Sequence, residues 1–189
     1  MFVLILGLLI FLGVHSVRIF APDWRNRRIA AMGDGPWRGL YSLTALIGFA
    51  LIVLGFAIAR QDAPILYEPP DWMKHIALAL MLFAFISLAV FVLPAGRLKP
   101  VLKHPMLISV KIWALAHLLA NGDLASLLLF SAFLSWAVAD RISVKRRGDN
   151  VPAPGPAKWD LTAAIAGFLL YVLFVWRLHE WLIGVTPLP

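Results

Sequence analysis

Six apolar runs follow one another along this chain, and about 20 apolar residues is what a helix needs to cross the hydrocarbon core of a bilayer. They are Phe2 to Phe20, Leu40 to Ala59, Trp72 to Leu93, Pro105 to Ala120, Leu124 to Ala139 and Trp159 to about Leu182. The fourth and fifth are short and joined by the tight turn Asn121-Gly122-Asp123, so they read as a helical hairpin. Lipid offers backbone amides no partner, and helices satisfy theirs internally. The expected fold is therefore all-α, a polytopic bundle of six transmembrane helices forming a single domain over residues 1–189. Composition agrees. The chain is 61% hydrophobic and 14% charged, where a soluble domain has about 25% charged residues.

The loops suggest an orientation. The first carries Arg25, Arg27 and Arg28, the third Arg97, Lys99 and Lys103, and the fifth Arg141, Lys145, Arg146, Arg147 and Lys158. The second sets Arg60 against Asp62, Glu68 and Asp71, and the fourth has neither Lys nor Arg. The positive-inside rule puts loops one, three and five in the cytoplasm and both termini outside. No Lys or Arg precedes the first run and four arginines follow it, the reverse of a cleavable signal peptide, so it reads as a retained helix. Trp37, Trp72 and Trp159 open helices, while Trp24 and Trp181 follow or close them, as interfacial anchors do. The net charge of +7 sits at these loop positions, in contact with lipid headgroups, and gives no basic face for nucleic acid.

Cysteine is absent, which excludes disulfides and thiolate metal sites and leaves histidine as the natural ligand type. No Gly-rich phosphate loop, HExxH zinc motif or G-x-S-x-G elbow is present. What remains is polar groups inside apolar helices, where a charge costs several kcal/mol, roughly 2.5–3.5 on insertion scales. His15 has Arg18 three residues on, sharing its helical face. It is either a histidine bonded to a neighbouring carbonyl or an axial metal ligand with Arg18 neutralising an anionic group. His117 shares its face with Trp113, Ala114 and Asn121, and small alanines there admit a flat cofactor or another helix. Lys111 lies about 120° round the same helix. No Asp or Glu lies deep in any run, so a non-protein anion is a candidate partner for it. His75, His104 and His179 lie near helix ends and read as interfacial or solvated; Asp140-Arg141 reads as the end of the fifth helix.

The stretches LGVHSVRI (Leu12–Ile19), WRGLYSL (Trp37–Leu43), KHPMLISVKIWALAHLLANGDLASLLLF (Lys103–Phe130) and WAVADRIS (Trp136–Ser143) resemble the NnrU family of bacterial inner-membrane proteins over nearly the whole chain. That family is named for a link to nitrate, nitrite and nitric oxide metabolism in denitrifiers. It is similar, more distantly, to the membrane zeta-carotene isomerase, which holds a haem b between histidines. The isomerase's early His-Ser matches His15-Ser16, and its later His-Pro and Ala-His match His104-Pro105 and Ala116-His117. The resemblance implies haem b on His15 and His117, with His104 accessory; Arg18, Arg38 and Lys111 are then the candidates for meeting its propionates. The expected topology sets one condition against the pair. His15 lies towards the cytoplasmic end of its helix, whereas His117 is about 13 residues, or ~20 Å, from the cytoplasmic start of its own.

Three functions follow as expectations. One is a haem protein of nitrogen-oxide metabolism, with nitric oxide as a possible ligand. Another is a haem-dependent isomerase of an apolar polyene, which needs a long apolar cavity open to lipid. The last is a cofactor-free transporter or assembly factor.

Overall fold

A computed structural model of the chain describes residues 1–149 and 151–188. Eight helices are present among the described residues: α1 (Phe2–Phe20), α2 (Pro22–Met32), α3 (Asp34–Ala59), α4 (Asp71–Val92), α5 (Leu98–Leu102), α6 (Pro105–Ala120), α7 (Leu124–Arg147) and α8 (Lys158–Ile183). Helix α8 contains a π-helical turn, Phe174–Leu178. Five helices, α1, α3, α4, α7 and α8, are long and apolar enough to cross a membrane, and the chain is a multi-pass membrane protein. Large apolar side chains on their outer faces, such as Leu46 and Phe49 on α3 and Phe168 and Leu169 on α8, are exposed where lipid would cover them.

The sixth apolar run, α6, has 16 residues, about 24 Å of rise against a ~30 Å hydrocarbon core. Pro105 opens it at the first helical position, where a missing N–H costs nothing. Before it, Leu102, Lys103 and His104 form a γ-turn: Lys103 has φ 62 and ψ −55, and the His104 N–H donates to the Leu102 carbonyl at 2.7 Å. Asn121-Gly122-Asp123 closes α6, and the Asp123 carboxylate caps α7 by accepting from the Ser126 N–H at 2.9 Å. This short helix is central, packed between α7 and α4.

Element boundaries moved in two places. Helix α3 begins at Asp34, six residues before Leu40, and α7 runs on to Arg147, well past Ala139. Asp140-Arg141 therefore lies within α7, which stops only where Gly148 takes a left-handed φ of 67. Hydropathy marks where lipid ends, and a helix continues beyond it while its faces still find partners. The first loop is also largely helical, as α2.

Contacts order the bundle as α3, α1, α7, α6, α4 and α8. Helices α1 and α3 approach closely through glycine. A Cβ on Gly48 would sit 2.7 Å from the Phe11 nitrogen, and one on Gly55 would overlap the Leu4 backbone. The loops gather as the charge pattern suggests. Asp160 accepts from the Arg97 and Leu98 N–H groups at 2.9 Å each, and Arg18 pairs with Asp149 at 3.3 Å, so loops one, three and five share one end. At the opposite end, the Leu66 N–H donates to the Gly122 carbonyl at 2.8 Å. The Tyr67 hydroxyl also bonds the Leu118 and Asn121 carbonyls there.

Candidate functional site

Two cavities flank the bundle core, one at each end. The larger, about 500 Å³, opens at the basic end between α1, α3 and α7, within the roughly 300–1,000 Å³ typical of small-molecule sites. His15 lines it. The Phe11 carbonyl, one turn earlier on α1, lies 2.7 Å from His15 Nδ1. That bond selects the Nδ1–H tautomer and leaves the Nε2 lone pair free, the pattern usual in metal-bound histidines. Aromatic rings hold the imidazole on three sides: Phe11 at 4.2 Å, Tyr41 at 5.3 Å and Trp136 at 5.9 Å between centroids.

The cavity is electropositive. Arg18, Arg25, Arg38 and Arg147 line it against two carboxylates, Asp34 and Asp140. Arg38 reaches Asp34 only at 3.8 Å and stays exposed. Arg147 is the organised one, at 3.0 Å from Asp149 and 3.9 Å from Asp140, and it donates to the Arg18 carbonyl at 3.3 Å. The Arg147 hydrogen bond, reinforced by the Arg18 charge, outweighs burial and holds the Asp149 carboxyl below its usual range. Two buried donors lack partners, Trp136 Nε1 and Arg147 Nε, and both residues line the cavity. The excess of arginine over carboxylate in the lining suits an anionic ligand.

The smaller cavity, about 180 Å³, lies at the other end between α4, α6 and α8, and His117 lines it. His117 Nδ1 donates to the Trp113 carbonyl at 2.8 Å, and its ring lies 4.5 Å from Phe130 at 26°. The ring of His179 lies 6.4 Å from it at an interplanar angle of 21°, with its own Nδ1–H donated to the Val185 carbonyl at 2.6 Å.

His15 and His117 thus line separate cavities. Trp136 and Phe130, their respective neighbours, are six residues apart on α7, about 9 Å of rise. Phe11, Phe133 and Trp113 form a chain of rings between the two histidines, with centroid spacings from 4.2 to 5.8 Å. Arg18 and Arg38 line the His15 cavity. Lys111 lines neither cavity and has no hydrogen bond or ion pair among the described residues. His104 stands at the junction of α5 and α6, where burial first and then the Arg141 charge lower its pKa, favouring the neutral ring.

Sequence reasoning passed over Tyr41, Trp136 and Arg147 as site residues and set His179 aside as solvated. The spacing of Trp136, Asp140 and Arg147 places all three on one face of α7, a signal hidden because Arg147 lay beyond the expected helix end. Among the described residues no cluster of three or more His, Asp or Glu side chains could hold a metal.

The profile of a family described as NnrU protein matches residues 3–187. No curated protein and no solved structure matches the chain.

Proposed function

The chain belongs to the NnrU family, and from that premise we propose that it is an inner-membrane haem b protein acting in nitrite and nitric oxide metabolism. All six apolar helices cross the membrane in this reading, with loops one, three and five cytoplasmic and both termini periplasmic. One observation carries the haem: His15, its Nδ1–H tied to the Phe11 carbonyl, lines an aromatic and arginine-rich cavity of about 500 Å³.

His15 would hold the iron, with the Phe11 carbonyl keeping its tautomer and ring orientation fixed. Arg18, Arg25 and Arg38 would meet the propionates, whose charge would offset the excess of arginine over carboxylate in the lining. Bound there, a haem would supply an iron able to take a diatomic such as nitric oxide. The charged lining favours this over an apolar polyene. His117, in the other cavity, is not used.

The test is an absorption spectrum of detergent-purified protein, oxidised and dithionite-reduced, with haem supplied during expression. The expected result is a Soret band that shifts on reduction, is lost in His15→Ala and survives in His117→Ala. A folded wild type without that band, or a His15→Ala variant that keeps it, would defeat the proposal.

A further inference from the structure

We propose that His117 and His179 form a two-imidazole site for copper(I), with the Met81 thioether as a third donor. The inference is independent of the haem reading, since it concerns the other cavity and different residues.

Four observations converge on the pair. The two rings are 6.4 Å apart at 21°; two imidazoles bound end-on to one ion, with metal–nitrogen bonds near 2.0–2.1 Å, have centres roughly 6 Å apart. Each ring gives Nδ1–H to a backbone carbonyl, Trp113 for His117 and Val185 for His179. Both Nε2 lone pairs are therefore free, and both rings are oriented as metal-bound histidines are by their outer partners. Next, the π-helical turn Phe174–Leu178 immediately precedes His179. Such a turn re-phases the helix that follows, and it is frequent at functional sites. Past the helix end, Val185, Thr186 and Pro187 fold back onto the same cavity.

The donor set selects the ion. No carboxylate lines the cavity, and the one charged side chain, Lys74, is paired with Asp71 at 3.0 Å. Nothing there neutralises a divalent cation in a low-dielectric setting. Imidazole and thioether are soft or borderline donors, and Met81 lines the same cavity as both histidines. Thioether selects copper(I), which carries a single charge and accepts two or three neutral ligands. Zinc, which takes four ligands in a structural site, lacks them here.

The test is an anaerobic titration of the purified full chain with copper(I), using bicinchoninate as competing chelator. Wild type is expected to retain one equivalent, His117→Ala and His179→Ala to lose it, and Met81→Leu to hold it more weakly. His15→Ala should keep copper while losing the Soret band, so failure of either site is read separately. X-ray absorption of the loaded wild type, which needs no variant to fold, should show a nitrogen shell near ~2.0 Å and a sulfur contribution. The proposal falls if wild type surrenders copper to the chelator, or if both histidine variants retain it. It falls equally if zinc(II) is held as tightly, or if the Soret band depends on His179.

Discussion

Asp149 receives two arginines from different helices, Arg147 at 3.0 Å and Arg18 at 3.3 Å, and so ties the end of α7 to the end of α1. Its carboxyl is held below the ordinary 3.8, first by the Arg147 hydrogen bond. A depressed carboxyl contributes stability that is fully present above the ordinary value and is lost as pH falls through the lowered one. Asp149→Asn should therefore lower the melting temperature at pH 7 by an amount worth about 0.2–1 kcal/mol, as for other solvent-screened pairs. The gap from wild type should close as the pH is taken below about 3.8; a gap that stays constant would mean the carboxylate charge plays no part. Lys103 makes a second residue-scale case. Its φ of 62 is costly for a side chain with a Cβ. Lys103→Gly should raise the stability by about 0.5–1 kcal/mol in a detergent thermal melt. The charge pattern gave no hint of either feature, because both depend on where the backbone turns.

Helices α1 and α3 meet along Gly48 and Gly55, and this contact also positions His15 opposite Tyr41. Small residues allow close approach in lipid, where dispersion between well-fitted surfaces drives association. A leucine at Gly48 must displace Phe11, the residue whose carbonyl orients His15. Gly48→Leu should destabilise by about 1–3 kcal/mol and perturb any Soret band. Gly39→Ala, on the same helix with nothing within 4 Å of the added carbon, should do neither. Unfolding monitored by circular dichroism with the spectrum recorded alongside would separate the two. At this scale the existence of each apolar helix was legible, and so was the hairpin of α6 and α7. The extension of α7 was not, since Asp140 to Arg147 is polar and is held in helix by packing and ion pairs at the cavity rim.

Across the whole molecule, arginine and lysine concentrate at one end, where loops one, three and five are joined by Arg18–Asp149 and by Asp160 on the turn at Arg97. A chain without cysteine allows a direct test of which side that end faces. In intact cells, a membrane-impermeant maleimide should label Asp62→Cys in loop two and leave Arg146→Cys unlabelled until the membrane is opened. Labelling with the opposite preference would invert the proposed orientation. The arrangement also makes the shortest apolar helix, α6, an interior one, flanked by α7 and α4.

What the sequence determined by itself was the all-α membrane class, the apolar helices, the gathering of the basic loops at one end and the unusual placement of His15 and His117. These follow from local quantities: apolar length, the distribution of Lys and Arg, and the cost of a polar group in lipid. Tertiary structure alone decided which of those groups meet. His15 lies with Tyr41, Trp136 and Arg147, and His117 with His179, sixty-two positions away in the chain. Partnership between rings depends on the relative depth and rotation of whole helices. Those are set by glycine contacts, a π-turn and loop hydrogen bonds between segments far apart in sequence.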